Sequence, residues 1–191
     1  MYRQNGSISR TADCMTARQL QVLNALRRLW IEHVLWTRSF IVSTAFGLAD
    51  LSDVTKRLLQ NPSDTAAVLK PFYGVQAASI FEKLFTDHLL IAARLVNAAK
   101  AGDTAAVQQE RRSWYKNADE IADFLSDINP YWSRANWQAA LYEHLQKTEN
   151  EAVQLLTGKY ADSITEYDAI QAQALEMADM MAQGIIRQFR L

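Results

Sequence analysis

The chain has 191 residues, with 20 Lys+Arg against 21 Asp+Glu, a net charge of −1 and a single Cys. So even a charge balance does not suit nucleic acid, whose phosphates need a cationic surplus on one face. One Cys leaves no internal disulfide and no multi-thiolate metal site, and a 49% hydrophobic share with 6 Gly and 3 Pro excludes disordered and collagen-like chains.

In chain order, Met1–Arg10 is polar and lacks the apolar centre of a signal peptide. Residues 1–15 are expected to form a flexible tail, and 16–191 one helical-bundle domain. Thr16-Ala17-Arg18-Gln19 reads as a capping box, opening a helix over 17–46 that ends at Gly47. Residues 50–74 read as a connector across one end of the bundle. Within it, Ser52 caps a short helix through Leu59, and Ser63 or Asp64 caps another turn that stops before Pro71. A helix over 75–101 closes at Gly102, and Asp103 caps the next, 104–128. Asn129-Pro130 breaks the chain before a helix over 131–157, with Pro130 at its first position. Gly158 with Asp162 or Ser163 then opens the last helix, 160–189. No run alternates apolar and polar residues as a strand would. Short turns make successive helices antiparallel. The predicted fold is all-α: an up-and-down antiparallel bundle of four long helices, plus a long N-terminal helix and a short helical connector.

Helical stripes support this reading. Leu26, Leu29, Trp30, Trp36, Phe40 and Ile41 mark the first helix, and Phe81, Leu84, Phe85, Ile91 and Leu95 the second. Trp137, Leu141, Leu145, Ala152 and Leu155 mark the fourth, and Ile164, Leu175, Ala178, Ala182 and Ile185 the fifth. No apolar run approaches the roughly 20 residues that cross a bilayer, so a soluble, cytoplasmic protein is expected.

The three histidines share one local pattern. Trp30-Ile31-Glu32-His33-Val34, Phe85-Thr86-Asp87-His88-Leu89 and Tyr142-Glu143-His144-Leu145 each place an aromatic, an acid, the His and a branched apolar residue in order. Asn117-Ala118-Asp119 echoes Met177-Ala178-Asp179, which suggests a duplicated helix pair. Each His lies on an apolar stripe, where a solvated His would not be placed. His88 is 14 residues before Gly102 and Asn117 is 14 after Asp103, so equal arms set them at one height. His144 falls near the same level, about 4–5 Å from Asn117 at 1.5 Å per residue. Counting from Gly158 brings Gln171 to Ala174 level with it, with Gln171 or Asp168 as the candidate for the layer, and His33 lies midway along its own helix.

A layer of His33, His88 and His144 in an apolar bundle suggests binding of a metal ion or a small polar ligand. Neutral imidazoles suit a divalent transition metal such as Fe, Mn or Zn, with Asp168 as a further ligand and Glu120 or Glu151 supporting carboxylates. Asn117, Gln171, Thr37 and Thr148 are the polar residues that would hold a cofactor or ligand. The alternative is a non-catalytic structural or protein-interaction module, in which the histidines are core hydrogen-bonding residues and the partner is a second copy or another protein. No reaction is legible. Glu-x-x-His, His-Glu-x-x-His and Gly-rich phosphate loops are all missing from the sequence. Glu32, Asp87 and Glu143 are expected to pair with Arg28, Arg94 or Lys147, and Arg111-Arg112 to form a solvated face. The turns Lys70-Pro-Phe-Tyr-Gly74 and Asn129-Pro-Tyr-Trp132 are expected to plug the bundle ends.

Trp30-x-x-His33-Val34-x-Trp36-Thr37-Arg38, Arg57-Leu-Leu-x-Asn61-Pro62-x-Asp64, Asn129-Pro-Tyr-Trp132 and Gly184-Ile-x-x-Gln188-Phe189 together resemble a family of small, uncharacterised all-helical bacterial proteins, chiefly from Gram-positive anaerobes. The resemblance spans nearly the whole chain and implies a helical fold without an established activity. Some members carry the label of amino-acid kinases, whose strands and Gly-rich loops this sequence lacks. A lesser likeness, carried by Glu32-His33-Val34-x-Trp36, is to ferritin-like bundles and implies metal in the core.

Overall fold

The computed structural model describes residues 15–191. The expected tail, apart from Met15, lies outside the described residues, as does Cys14. Six helices follow in order: α1 (Ala17–Phe46), α2 (Leu51–Leu58), α3 (Asn61–Ala101), α4 (Thr104–Ile128), α5 (Arg134–Leu156) and α6 (Tyr160–Phe189). There is no strand among the described residues, and no helix is long and apolar enough to cross a membrane. The capping box forms as read: Gln19 N–H donates to Thr16 Oγ1 at 3.1 Å, and Thr16 N–H to Gln19 Oε1 at 2.9 Å.

Two expected helix starts move, and at α6, which begins at residue 160 as read, only the cap differs. Asn129 Oδ1 accepts from Tyr131 N–H at 2.8 Å, closing a side-chain turn that keeps Pro130 and Trp132 out of helix; Ser133 then caps α5. Asp50, rather than Ser52, stands before α2, and its carboxylate accepts from Ser43 Oγ–H at 2.8 Å. Lys159 precedes α6, so Asp162 and Ser163 fall inside the first turn.

The connector also differs from expectation. Asn61–Tyr73 is helical through Pro71, and the break comes at Gly74, whose φ of 80° and ψ of 174° are open only to glycine. Pro71 cannot donate to the carbonyl of Ala67, but so near the break it disturbs only the final turn.

The five long helices close a ring in the order α1, α3, α4, α5, α6, so the N-terminal helix is a full member of the bundle. Chain turns make α3–α4, α4–α5 and α5–α6 antiparallel. α1 is antiparallel to α6, since Gln19 meets Leu191 and Arg27 meets Asp179. A ring of five must then contain one parallel pair. It is α1 with α3: His33 packs on Phe85, and Lys100 donates to Thr44 O. α2 and the first part of α3 supply the return path, fixed by Arg57 on Glu32 at 2.9 Å and Asn61 Nδ2–H on Leu29 O at 2.9 Å.

One contiguous apolar core fills the ring. The stripes of α1, α3 and α5 are largely as read. In α6, Ala178, Ala182 and Ile185 are buried as read, but Ile164 is exposed and Leu175 half-buried, and Ile170, Ala174, Met177 and Met181 complete the inward face. The aromatic turns do plug one end. Trp132 and Tyr73 pack at 5.6 Å, Tyr73 O–H donates to Gln188 Oε1 at 3.0 Å, and Asn129 Nδ2–H donates to Tyr73 Oη at 2.8 Å. Gly184 lets the Trp132 ring lie against α6, because a Cβ there would stand 1.8 Å from Trp132 Nε1.

Replacing a helical Gly by Ala ordinarily stabilises a helix by up to about 1 kcal/mol. Here overpacking reverses the sign, and Gly184→Ala is expected to lose ~1–3 kcal/mol net, read from the midpoint of urea unfolding.

Candidate functional site: a buried histidine layer

The ring brings all three histidines together at mid-height, each with no more than 4% of its surface exposed. The His33 and His144 rings lie 5.5 Å apart, and His33 is wedged between Trp30 and Phe85 at 5.9 and 5.1 Å.

Hydrogen bonds fix the state of His88. Trp114 Nε1–H, which can only donate, reaches His88 Nε2 at 3.0 Å. That nitrogen is therefore unprotonated. Asn117 uses its amide N–H on Leu84 O at 3.1 Å, so its oxygen accepts from His88 Nδ1–H at 2.7 Å. His88 is neutral, with the proton on Nδ1 and both nitrogens engaged. The levels of His88 and Asn117 agree as expected from the turn.

His144 repeats the device. Its Nδ1–H donates to Gln173 Oε1 at 2.9 Å, while Gln173 Nε2–H donates to Ala140 O at 2.8 Å. Leu84, His88 and Asn117 thus correspond to Ala140, His144 and Gln173, each 56 residues later. The expected helix-pair repeat is present as geometry, at a different offset: Asn117 matches Gln173 rather than Met177. His144 Nε2 keeps its lone pair. His33 has no such clamp, and its buried Nδ1 lacks a partner.

Other expected site residues are dispersed. Asp168 is exposed on α6, and Gln171 donates to Tyr167 Oη at 3.3 Å. Gln171 and Gln173 are two positions apart, about 200° of helix, so only one of them can face the layer. The inward stripe of Ile170, Gln173, Ala174 and Met177 carries the signal that identifies Gln173. Thr148 Oγ1–H is spent on His144 O at 2.9 Å, and Thr37 Oγ1 is buried without a partner. Glu120 pairs with Lys116 on the surface. Glu151 is fully buried and pairs with Arg38, which also donates to Ser163 O at 3.2 Å and covers the Tyr167 ring. Of the three acids before the histidines, Glu32 bonds Arg28 and Arg57, Glu143 bonds Lys147, and Asp87 bonds Lys83 rather than Arg94. Arg111 and Arg112 are both exposed, as read, and Arg111 also binds both oxygens of Glu149 and stacks on Tyr115.

Below the layer is a chamber of about 20 Å³, lined by His33, His88, His144, Asn61, Trp137 and apolar side chains. That is room for a water-sized molecule. Two more of its lining residues carry buried polar atoms without partners, Trp137 Nε1–H and Asn61 Oδ1. A metal held by all three imidazoles does not fit this donor set, because the His88 lone pair is already taken by Trp114. No group of three or more His, Cys, Asp or Glu among the described residues is arranged to hold an ion.

No family model matches the chain, and no curated protein or solved structure matches it.

Desolvation holds all three imidazoles below the ordinary histidine value: His33 well below, with added repulsion from His144 and His88 whenever those are protonated, His144 lower, and His88 down at about 4. The unfolded chain therefore binds more protons in acid. Stability is full above about pH 6.5 and falls as pH drops toward 4, and His88 alone removes about 3 kcal/mol over that span. Glu151 acts oppositely. Burial pushes its carboxyl up to about 7, so the folded state gains protons, and relative stability, as pH falls through 7 toward 4.5. Two outcomes are expected: imidazole NMR signals show no His88 protonation step above pH 5, and the fall in Tm from pH 7 to 5 is steeper in Glu151→Gln than in the wild type.

Proposed function

We propose that this protein is a ligand-binding helical bundle whose histidine layer holds a small, neutral polar molecule. The supporting observation is the chamber itself: around a water-sized space lie three neutral imidazoles, the unpartnered indole N–H of Trp137 and the unpartnered carbonyl of Asn61. A buried polar atom without a partner forfeits about 1–3 kcal/mol, and a guest that both donates and accepts would recover part of it. Neutrality follows from desolvation, which opposes any net charge at this depth. The size of the chamber limits the guest to one or two heavy atoms.

The test is a titration of isotopically labelled protein with methanol, followed at the imidazole and indole nitrogens. Saturable shifts at His33, His144 and Trp137 are expected, with His88 and Trp114 unmoved and the response weakened at least fivefold by Trp137→Phe. A flat response at those three side chains would sink the proposal. So would a stoichiometric transition metal in tag-free protein that disappears in His88→Gln, since that would return the layer to metal binding.

The repeated His–amide–carbonyl clamp favours a second, structural reading, in which the layer sets helix register. On this reading Asn117→Ala and Gln173→Ala each lose about 1–3 kcal/mol of stability, because each orphans a buried imidazole N–H, and methanol produces no saturable shift.

A further inference from the structure

The histidine layer has a second hollow on its other side, much larger and different in character. About 130 Å³ of space lies one to three turns above the layer, bounded by Phe40 and Ile41 of α1, Leu58 of α2, Leu89, Leu95 and Val96 of α3, and Ala152 of α5. Native cores rarely keep voids larger than a water molecule. Voids of roughly 150 Å³ with such walls stay dry and admit molecules the size of benzene. The wall is hydrocarbon apart from the hydroxyls of Thr37 and Thr148 and a charged mouth. Thr148 has already spent its proton on His144 O, which leaves Thr37 Oγ1 as the one buried, unpartnered polar side-chain atom in the wall. Water entering here would find too few partners to hold it.

The way in is legible from exposure. Among the lining residues only Arg111 of α4 and Val153 of α5 are exposed, while Glu149, like Thr37, Ala92, Ala93, Ala99 and Val107, is half-buried. The opening is therefore between those two helices, crossed by the Arg111–Glu149 ion pair at 2.9 Å. Each charge neutralises the other, so the mouth offers no free counter-ion to a charged guest. An uncharged one needs only the two long side chains to swing aside.

We propose that this hollow is a binding site for a small, uncharged apolar molecule of about the size of a single six-membered ring. Such a guest would be held by contact and by loss of water from its own surface, with no directional bond. The site is separate from the chamber proposed above, from which the imidazole layer divides it, and neither proposal depends on the other.

The experiment uses the full chain with ¹³C-labelled methyl groups and benzene as the probe. Saturable shifts are expected at the methyls of Leu58, Leu89, Leu95 and Val96, together with a rise in Tm. Ala152→Phe, which places a ring in the hollow, is expected to weaken benzene binding at least tenfold. Should that variant not fold, Ala92→Leu fills the same space more gently and carries the same expectation. Benzoate, equal in girth but charged, is expected to leave these methyls unmoved. An absence of saturable methyl shifts in the wild type overturns the proposal. So does unchanged affinity in a folded filling variant, or binding of benzoate as tight as that of benzene. Methanol shifts at His33 and His144 report on the lower chamber alone, so failure at one site is distinguishable from failure at the other.

Discussion

Three imidazoles are buried side by side in an apolar ring, two of them held by neutral partners, and much else in the molecule follows from their being uncharged. Desolvation keeps the protons off. A neutral imidazole must then have one donor and one acceptor nitrogen, and Trp114, which can only donate, decides which is which in His88. That choice passes to Asn117, whose oxygen must accept and whose amide must turn to the carbonyl of Leu84. A single indole proton thus orients two side chains and ties α3 to α4 at one height. Gln173 does the same for α5 and α6 through His144. The clamps make register a matter of satisfied hydrogen bonds as well as of packing.

α1 stands outside this repeat, and the consequences collect around it. It brings the third imidazole without a clamp, so His33 Nδ1 is left unpartnered where the two hairpins meet. As the fifth helix of a closed ring it must run parallel to one neighbour. The chain meets this demand by doubling back through α2 and the first part of α3, turning again at Gly74. The same detour carries Asn61 and Thr65 to the wall of the lower chamber. α1 also contributes Arg38, whose guanidinium neutralises the buried Glu151 of α5 and reaches a carbonyl of α6. A buried pair of this kind is weak evidence for stability, but it joins three helices at one point.

The layer also partitions the interior. Below it, a small space is bordered by polar atoms that lack partners; above it, a larger one is bordered by hydrocarbon. His88 faces the lower space, while Trp114, bonded to it, faces the upper.

Local sequence signals set the five long helices from the capping residues and turns, their order and the height of the layer. Capping residues, Gly and Asp at the turns and 3.6-residue stripes are local signals, and a rigid rise per residue converts turn-to-residue counts into height. Equal arms from the Gly102 turn therefore pair His88 with Asn117. Rotation about the helix axis is less forgiving, since one residue is about 100°. Gln173, not Gln171, therefore faces His144, and Asp168 turns to solvent. Ring closure by α1, the parallel contact with α3 and the helical return through Pro71 depend on which faces meet, and no local pattern encodes that. The donor that claims His88 Nε2 and the two hollows left by imperfect filling exist only once five helices are packed. They belong to the tertiary structure, because each is a relation between side chains far apart in the chain.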